Sequence, residues 1–517
     1  MTDETIIGID LGTTFSAVAY VNQHGKPEII SNRDGDRTMP SVIFFEDDGS
    51  PIVGREARNL ALISPQRTVR FIKREMGNPS FRKTVDGKDY FPEDLSAMIL
   101  RKLKDNAEEV LGREITKAVI SVPAYFKDAQ REATRQAGKI AGLEVLRIVN
   151  EPTAAALAYG VEKRPQRQTL LVYDFGGGTF DVTLMRIEDK EFSIVATDGD
   201  AKLGGRDIDE RLVEFLAEEF QREHGIDLRV EAHTHQDLWD KAEQAKRDLS
   251  FRENLSVTLA EGEKMLRVDI DRERFKELIQ DMVDLTAVCI QRVMNTAGVS
   301  WPEIDTILLA GGSSRIPAVR EMIAQVSGKT AAQDMNPDEC VAVGAAIQAV
   351  VAVNEIASAR GHAEKRTLDG GFDLVISDVA SHSLGVKAYT SDKSKFVNSI
   401  IIPRYSKVPC EKTRTYVTSE DNQPEVVVEI LQGDDDDPRS PHVALVGKAG
   451  LKDLPPHKAG ELVIKVTLRY DADGVIEVIT EELKSGNSTR TTVMHKTGIL
   501  SADILAEKEQ ALASQKL

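Results

Sequence analysis

The chain has 517 residues, of which 41% are hydrophobic, 29% charged and 5% aromatic. This length predicts about two to four domains of ordinary globular composition and excludes a collagen-like or largely disordered protein. The formal net charge is −18, whereas a nucleic-acid binder usually needs a basic face. The charge balance therefore argues against nucleic-acid or membrane-surface binding, and the acidic surplus favours solubility.

Short apolar strands alternate with amphipathic helical segments from residue 1 to about residue 352. One predicted helix runs from Asp94 to Gly112, and another from Asp207, the expected N-cap, to Gly225. Alternation of strands and helices is typical of an α/β domain. The clearest predicted strands are residues 6–10, 117–122, 170–174 and 306–310.

The sequence pattern changes at residue 378, after which short strands and turn signals recur to about residue 500. The predicted strands there are SLGVKAY, KFVNSIII, TRTYVTS, PEVVVEIL, ELVIKVTL and VIEVIT. This pattern predicts a compact antiparallel β domain over 378–500. The polar, glycine-containing segment 353–377 predicts a linker, and a surface loop followed by a first strand is the less favoured alternative. Residues 501–517 favour a short helical tail.

Three cysteines, Cys289, Cys340 and Cys410, lie far apart and form no CxxC pair. A disulfide framework or zinc site is therefore not expected, and three buried thiols in a reducing compartment are the simplest interpretation. The acidic start of the chain lacks signal-peptide features, and no stretch of about 18 apolar residues indicates a membrane span. We expect a cytoplasmic protein.

Residues 8–20 and 172–185 share one scheme, in which an apolar strand ends in Asp and a glycine-rich turn, a threonine and a second strand follow. Such duplication predicts two similar lobes, about 1–170 and 171–352. Backbone N–H groups of the turns can bind phosphate. Asp10 or Asp174 beside a phosphate makes sense if Mg²⁺ lies between them. One copy alone would fit a plain hairpin, and neither is a Walker A motif.

A third glycine turn, residues 309–317, follows a strand and precedes a helix, which suits phosphate, ribose or merely a tight connection. Glu243, Lys246, Arg247 and Ser250 share one helix face. On spacing alone this face is a solvated charged surface. It could instead bind a nucleoside, with Glu243 accepting hydrogen bonds from the ribose hydroxyls and the aliphatic parts of Lys246 and Arg247 packing on the two sides of adenine.

Other side chains carry no distinctive pattern. Lys73 by itself is a surface lysine, and Arg315 could stack on a base or form an ion pair. His233 and His235 fit ordinary loop residues. The acidic segment 433–441 is a solvated loop by composition.

Taken together, these segments resemble the heat shock protein 70 (DnaK-type) chaperone family, whose ATPase fold is shared with actin and hexokinase. The most specific match is the 39-residue run 122–160. The resemblance implies a two-lobed actin-like ATPase domain, a duplicated ribonuclease-H-like fold, followed by a β-sandwich. Further matching strings are IGIDLGTTFS, FIKREMG, VYDFGGGTFDV, LGGRDID, AEQAKRDLS, LAGGSSRIP, NPDECVAVGAAIQA, DNQPEVVVEILQGD and YDADGVIEV.

The resemblance implies an ATP-dependent chaperone that binds exposed apolar peptides of unfolded proteins. Slow hydrolysis of ATP to ADP and phosphate would switch its peptide affinity, with Mg²⁺ and K⁺ as cofactors. No histidine in these motifs offers a strong general base, so we expect slow turnover. A J-domain co-chaperone, and possibly a nucleotide exchange factor, would be partners.

The same resemblance implies roles for individual positions in the cleft. The expected catalytic residues are Lys73, Asp10, Asp174, Asp181, Thr179 and Glu151, with Asp10, Asp174 and Asp181 also surrounding the metal ions. The expected phosphate-side residues are Gly12, Thr13, Thr14, Phe15, Gly176, Gly177 and Gly178. The expected nucleoside-side residues are Gly204, Gly205, Glu243, Lys246, Arg247, Ser250, Gly311, Gly312, Ser313, Arg315 and Asp338.

Three further sets are implied in the same way. Pro123, Arg131 and Glu151 would form an allosteric relay, and Arg147, Asn150 and Asp378 a co-chaperone surface. A peptide groove would contain Val386, Tyr389, Tyr416, Val426 and Val428, although without the resemblance ordinary β-core packing would be the preferred explanation of these five.

The sequence departs from the family pattern in three places. The family's helical lid is absent, because the residues after Leu500 are too few for a helical bundle, so we expect an open groove with fast peptide exchange. Ser377 interrupts the apolar run before Asp378, which puts tight docking of the linker in doubt. Ser381 and His382 replace a Pro-Leu pair, and we assign His382 no ligand role.

Two alternatives remain. A nucleotide-sensing protein with one specific partner and a weak or uncoupled ATPase would fit the altered linker and missing lid. A small-metabolite kinase would share the ATPase fold, but the β domain and the run 122–160 argue against it.

Overall fold

The computed structural model describes residues 5–164, 166–332, 334–359, 366–368, 374–390, 392–471, 474–493, 500 and 502–515. Residues up to Lys163 form the first α/β unit, lobe I. Its strands are β1 (Ile6–Asp10), β2 (Phe15–Val21), β3 (Pro27–Ile29), β4 (Met39–Pro40), β5 (Ile43–Phe45), β6 (Pro51–Val53), β7 (Thr68–Val69), β8 (Lys83–Val85), β9 (Lys88–Tyr90), β10 (Lys117–Val122) and β11 (Glu144–Asn150). Its helices are α1 (Arg55–Leu60), α2 (Pro92–Leu111), α3 (Asp128–Ile140) and α4 (Glu151–Lys163).

The main sheet of lobe I has the strand order β11-β10-β1-β2-β3. β1 and β2 form an antiparallel hairpin, whereas β10 pairs with β1, and β11 with β10, in parallel. Parallel strands with both faces covered need continuous apolar runs. The β10 sequence KAVISV meets this need, because every residue after Lys117 is buried.

Lobe II repeats this arrangement around the antiparallel hairpin β12–β13, with β17 parallel to β12. The sequence repeat therefore corresponds to equivalent hairpins in the two lobes. The strands of lobe II are β12 (Arg167–Phe175), β13 (Phe180–Glu188), β14 (Glu191–Asp200), β15 (Asn254–Glu261), β16 (Lys264–Asp271) and β17 (Thr306–Ala310). Its helices are α5 (Gly205–His224), α6 (Ala232–Leu249), α7 (Arg272–Ala297), α8 (Pro317–Ser327) and α9 (Cys340–Ala359).

Helix α9 packs between the two lobes, in a shared core with α4 and the central strands. A Cβ atom on Gly344 would lie 1.7 Å from the Ala154 carbonyl oxygen, so only glycine allows α4 and α9 to approach this closely. The segment Cys340–Ser358 is long and apolar enough to cross a membrane, but 67% of it is buried inside the protein. It is a core helix by its surroundings.

The two predicted helix starts are each displaced. α5 begins at Gly205, and Asp207 lies in its first turn, where its carboxylate accepts a hydrogen bond from Gly204 N at 2.7 Å. Asp94 likewise accepts from Phe91 N at 3.0 Å, within α2. Each aspartate satisfies a free amide at the helix start from inside the helix. The predicted ends at Gly112 and Gly225 are confirmed, since both adopt the left-handed conformation.

The C-terminal domain contains two four-stranded antiparallel sheets, β20-β19-β23-β24 and β22-β25-β26-β27, which share one apolar core. Two of these strands, β24 and β27, were not among those predicted. The elements are β18 (Val375–Val379), β19 (Leu384–Tyr389), β20 (Phe396–Ile402), β21 (Lys407–Val408), β22 (Cys410–Val417), β23 (Val426–Gln432), β24 (Ala444–Leu451), β25 (Val463–Tyr470), β26 (Ile476–Glu482), β27 (Ser488–Val493) and α10 (Ala502–Ala513).

The segment expected to be a linker, 353–377, has regular structure at both ends. α9 continues to Ala359, and β18 begins at Val375 and pairs in parallel with β14 of lobe II. Ser377 does not prevent docking, contrary to expectation, because its hydroxyl donates to Glu191 Oε1 at 2.8 Å. Residues 360–365 and 369–373 of this segment lie outside the described residues.

The expected tail contains α10, which packs on α3 of lobe I. Leu512 is buried in the lobe I core, and Lys508 forms an ion pair with Asp94 at 2.5 Å. The C-terminal helix is therefore part of the packed structure. Ser501 and residues 516–517 of the expected tail are not among the described residues.

Candidate functional site

The two glycine turns predicted from the repeat face each other across the cleft between the lobes. A Cβ atom on Gly177 would lie 2.3 Å from Thr14 Oγ1, and one on Gly178 would lie 2.4 Å from Thr13 Oγ1. Gly12 is required for a local reason, since its Cβ would lie 1.9 Å from the Phe15 carbonyl oxygen. The β1–β2 and β12–β13 turns therefore form one narrow cradle lined by backbone, which suits a phosphate chain.

Four carboxylates lie behind this cradle, of which Glu151, Asp174 and Asp181 are buried and Asp10 is partly buried. Asp10 accepts a hydrogen bond from Ser121 Oγ at 3.1 Å, and Asp181 accepts one from the Tyr125 amide at 3.1 Å. Glu151, the first residue of α4, forms an ion pair with Lys73. Asp174 is close enough to the other three to interact with their charges, and its Oδ2 atom is buried with no hydrogen-bond partner among the described residues.

Lys73 is the cation among these carboxylates, and its side chain is only 6% exposed. Burial would lower its pKa, but the carboxylates of Glu151 and Asp10 outweigh burial and raise it. Lys73 is therefore a charged group buried in the cleft and not the surface lysine that its spacing suggested.

Lys73 is already paired with Glu151, so it cannot also neutralise the carboxylates of Asp10, Asp174 and Asp181. Burial, followed by the charge of Glu151, raises the pKa of Asp10 to about 7 and that of Asp181 to about 8, and it raises the pKa of Asp174 well above its usual range. A divalent cation would relieve this excess of negative charge, and the free Asp174 Oδ2 atom offers a position for it or for its water. Among the described residues, no three His, Cys, Asp or Glu side chains converge on one ion directly. The arrangement therefore fits Mg²⁺, which keeps several waters and bridges carboxylates to phosphates.

The predicted nucleoside residues line the other side of the cleft. Helix α6 carries Glu243, Lys246 and Arg247, and Lys246 is held by Asp209 Oδ1 at 2.7 Å. The Arg247 guanidinium lies 5.9 Å from the centre of the Phe15 ring in the opposite lobe. This face of α6 is therefore turned into the cleft, which favours the nucleoside interpretation over a solvated surface.

The cleft is a cavity of about 400 Å³, large enough for a nucleotide. Its lining includes most of the predicted cleft residues but not Gly178, Gly204, Gly205 or Asp181, which stand directly behind the lining. The predicted residues that line it are Asp10, Gly12, Thr13, Thr14, Phe15, Lys73, Glu151, Asp174, Gly176, Gly177, Thr179, Glu243, Lys246, Arg247, Ser250, Gly311, Gly312, Ser313, Arg315 and Asp338. Sequence reasoning missed Thr38, Phe251, Ile316, Pro337 and Val341, of which Phe251, Ile316 and Pro337 adjoin predicted residues.

Gly204 supports the phosphate cradle from behind, and its replacement is expected to damage nucleotide binding. A Cβ atom there would lie 2.5 Å from Gly178 N and 2.6 Å from Gly178 Cα, and backbone atoms cannot move away cheaply. Gly204→Ala is therefore expected to weaken ADP binding at least about tenfold, as judged from typical overpacking costs. Titration with fluorescent ADP measures this. Gly450→Ala in the C-terminal domain is the matched control, because Gly450 does not line the cleft and its Cβ would meet nothing closer than the Val426 carbonyl oxygen at 3.3 Å; equal losses in both variants would contradict the prediction.

Four of the predicted relay and co-chaperone residues, Arg131, Arg147, Asn150 and Asp378, lie near the junction with the C-terminal domain. Arg131 donates to the carbonyl oxygens of Ala124 and Phe126 at 3.4 and 3.2 Å. Asn150 Nδ2 donates to the partly buried Asp378 at 2.9 Å, and Arg147 pairs with Glu355 at 2.6 Å. Glu151 of the predicted relay lies instead in the cleft, beside Lys73.

The predicted groove residues divide into two groups. Val386 and Val428 are buried in the core of the C-terminal domain, and Tyr416 and Val426 pack partly buried against it. Tyr389 is 48% exposed and stacks on Phe396, with ring centres 4.0 Å apart. The geometry of the first four is that of ordinary core packing, and Tyr389 alone is freely accessible.

Comparisons with known proteins agree with this geometry. The family model described as Hsp70 protein matches residues 6–516. The chain belongs to the Hsp70 family. It is 41% identical to the chaperone protein DnaK of Thermosipho africanus over 507 residues, 97% of this chain and 82% of the relative. It is also 41% identical to DnaK of Thermotoga neapolitana, over 98% of this chain and 83% of the relative, and 42% identical to DnaK of Thermotoga petrophila, over 95% and 80%.

Membership of the Hsp70 family gives the chain its activity and its architecture. It is an ATP-dependent molecular chaperone that hydrolyses ATP, and the family architecture is a pair of actin-like ATPase lobes followed by a β-sandwich. The nucleotide binds with Mg²⁺, in agreement with the carboxylates described above. The alternative of a dedicated nucleotide-sensing regulator is not favoured, because these relatives are named chaperones.

Proposed function

We propose that the chain couples ATP hydrolysis in the lobe I–lobe II cleft to peptide binding by its C-terminal β domain. The domain limits are those of the sequence analysis: ATPase lobes over 1–352, a connecting segment, and a peptide-binding domain over 378–500. The observation that carries this proposal is the direct connection from the buried carboxylates of the cleft to buried residues of the β domain.

In the cleft, hydrolysis would depend on positioning and on charge neutralisation. Lys73, held by Glu151, would neutralise charge on the γ-phosphate and position the attacking water. Asp10, Asp174 and Asp181 would hold Mg²⁺, and K⁺ ions beside it, largely through water. When bound, the cations offset the negative charge of the phosphates. The glycine turns, together with Thr13, Thr14 and Thr179, would hold the phosphate chain.

One connection to the β domain runs through the start of α4. Glu151, the partner of Lys73, follows Asn150 directly in the chain, and Asn150 donates to Asp378 of β18 at 2.9 Å. A change in the charge that Lys73 faces would therefore act on the strand that docks the second domain. This arrangement supports the proposed relay role of Glu151 and the co-chaperone role of Arg147, Asn150 and Asp378.

A second connection runs through residues 123–126. Asp181 accepts from the Tyr125 amide, and the Tyr125 carbonyl oxygen lies 3.1 Å from His382 Nε2 of the β domain. The rings of Tyr125 and His382 also meet edge to face at 4.7 Å. His382 is buried, so this residue, which departs from the family pattern, forms a contact between the domains.

The β domain offers a place for an extended peptide. In its described part, β19 and β23 pair over Leu384–Val386 only, although β19 continues to Tyr389 and β23 begins at Val426. The backbone N–H and C=O groups of 387–389 are therefore not paired with those of 426–429. An extended chain can hydrogen-bond to such an opening, with apolar side chains beside it. We infer that clients bind there as exposed apolar segments.

The partners follow from these surfaces. A J-domain co-chaperone would bind at the junction marked by Arg147, Asn150 and Asp378, and a nucleotide exchange factor would act on the cleft between the lobes. A cytoplasmic location remains our prediction.

The coupling is tested by single-turnover ATP hydrolysis with and without an unstructured apolar peptide. We expect the peptide to accelerate hydrolysis in the wild-type protein, with Lys73→Met as the inactive control. Hydrolysis that is lost in the Lys73 variant but indifferent to peptide would contradict the coupling and leave the ATPase intact. Absence of any hydrolysis above that of the Lys73 variant would contradict the assignment of the cleft.

His382 makes the contact between domains sensitive to acid. Burial lowers its pKa to about 4, whereas the pKa of a free histidine is about 6.5. The neutral form is therefore favoured in the docked state, so docking is fully stabilised above pH 6.5 and weakens as the pH falls toward 4. Asp434, Arg404 and Lys127 are the charged groups that face the ring.

We expect His382→Leu to remove this sensitivity. Between pH 7.5 and 5.5 the equilibrium constant for docking should fall about tenfold more in the wild type than in the variant. The protection of residues 375–379 from amide exchange measures this constant. Asp128, whose pKa burial raises to about 6, acts in the opposite direction but equally in both proteins. Parallel pH profiles for the two proteins would contradict the prediction.

A further inference from the structure

Phe71 adopts a backbone conformation that a bulky residue rarely takes. Its φ and ψ angles are 60° and 24°, in the left-handed region, and it directly precedes the short 3-10 helix Ile72–Glu75. That helix carries Lys73. A left-handed conformation is unfavourable for a non-glycine residue and persists only where the surroundings enforce it.

The ring of Phe71 is held mainly by lobe II, although Phe71 itself belongs to lobe I. The Trp239 ring of α6 lies 5.7 Å from it, and the Arg206 guanidinium of α5 lies 4.9 Å from its centre. Arg70, its neighbour in the chain, lies 5.1 Å from the ring. Stacking and cation–π contacts of this kind are attractive, so they stabilise the ring in this position and offset the cost of the backbone conformation.

The residues on either side of Phe71 are also anchored to lobe II. Arg70 donates to Asp240 at 3.0 Å and to Glu243 at 3.1 Å, and both acceptors lie on α6. Arg74 donates to Asp207 at 2.8 Å and to the Gly178 carbonyl oxygen at 2.9 Å. The segment 70–74 thus contacts lobe II at Arg70, Phe71 and Arg74, whereas Ile72 packs in the core of lobe I and Lys73 turns back toward Glu151 of lobe I.

We propose that Phe71 is a positioning residue which makes the placement of Lys73 depend on closure of the lobes. In the closed cleft, Trp239 and Arg206 hold the ring, and the left-handed backbone aims Lys73 at the site of the γ-phosphate. When the lobes separate, the ring loses these contacts, the backbone relaxes, and Lys73 leaves its position. Hydrolysis is then restricted to the state in which nucleotide is enclosed. This inference rests on the proposed role of Lys73.

Replacing Phe71 with glycine and with alanine distinguishes the effect of the backbone conformation from the effect of the ring contacts. Both Phe71→Gly and Phe71→Ala remove the contacts with Trp239 and Arg206, so both should accelerate the release of fluorescent ADP to a similar degree. Glycine adopts the left-handed conformation freely, whereas alanine does not. Single-turnover hydrolysis should therefore be about 5- to 30-fold slower in Phe71→Ala than in Phe71→Gly.

Variants on the opposite lobe test the same contact without touching the backbone of residue 71. Trp239→Ala should slow hydrolysis and accelerate ADP release together, and Trp239→Phe should restore both. Thermal unfolding checks that each variant is folded.

Equal hydrolysis rates in Phe71→Gly and Phe71→Ala would overturn the inference, as would normal hydrolysis in Trp239→Ala. A merely structural role would lower the unfolding temperature of the glycine and alanine variants without separating their hydrolysis rates. These results are distinguishable from a failure of the proposed cleft chemistry, because in that case the wild type would not exceed Lys73→Met.

Discussion

Lys73→Met is expected to lower the rate of single-turnover ATP hydrolysis about 100- to 1,000-fold, the usual loss when one charge-stabilising donor is removed. Methionine keeps the length and apolar stem of lysine but removes the charge that would face the γ-phosphate. Affinity for ADP, which lacks that phosphate, should change little. Rapid mixing with ATP followed by separation of the products measures the rate.

The fold needs its own control, because Lys73 is also the partner of the buried Glu151. Removal of one member of a buried ion pair leaves an uncompensated charge, which typically costs about 3–5 kcal/mol of stability. The double variant Lys73→Met, Glu151→Gln removes both charges and should regain stability without regaining hydrolysis. Lys276→Met, at a surface ion pair with Glu321, should behave as the wild type. Recovery of hydrolysis in the double variant would contradict a chemical role for Lys73.

Asp378→Ala is expected to abolish the acceleration of hydrolysis by peptide, bringing the ratio of rates with and without peptide close to one. Asp378 is partly buried at the junction and accepts from Asn150 at 2.9 Å, and its removal leaves that donor without its partner. The loss of such a hydrogen bond to a charged acceptor costs about 1–3 kcal/mol, which would lower the equilibrium constant for docking about 5- to 150-fold.

The matched control is Asp392→Ala, because Asp392 lies in an exposed turn and bonds only to neighbouring residues of that turn. It should retain the full response to peptide. A normal response in Asp378→Ala, or a loss of response in both variants, would show that the Asn150–Asp378 contact does not transmit the signal.

Local sequence signals predicted the parts of the site that depend on local geometry. The turns around Gly12 and Gly177 follow strands that end in aspartate, and their need for glycine is set by atoms within the same turn or the facing one. The helical spacing predicted that the polar residues of α6 share one face. It did not predict that this face is turned toward the cleft, because the packing of lobe II sets that direction. Lys73 carried no signal because its environment is assembled from residues distant in the chain, such as Glu151.

The strands that sequence analysis missed had weak local signals. β24 (ALVGKAGL) contains two glycines and two alanines, which disfavour strands, and its pairing with β23 decides its structure. β27 (STRTTV) is largely polar and lies at the edge of its sheet. The residues of β18 were predicted to be the end of a linker, because the strand that pairs with them, β14, is nearly 200 residues away in sequence and gives no local signal.

The addition of β18 to the lobe II sheet has a consequence for the solution behaviour of the undocked protein. β18 covers the outer edge of β14 over Glu191–Ser193, and Val375 N donates to the Lys190 carbonyl oxygen at 2.9 Å. Whenever the domains separate, both strands present free N–H and C=O groups, which are a template for pairing with other extended chains. Separation of the domains would thus expose unpaired backbone groups on the ATPase lobes as well as on the β domain. Under the proposed coupling, in which docking depends on the nucleotide, self-association of this chaperone should rise and fall with the nucleotide state.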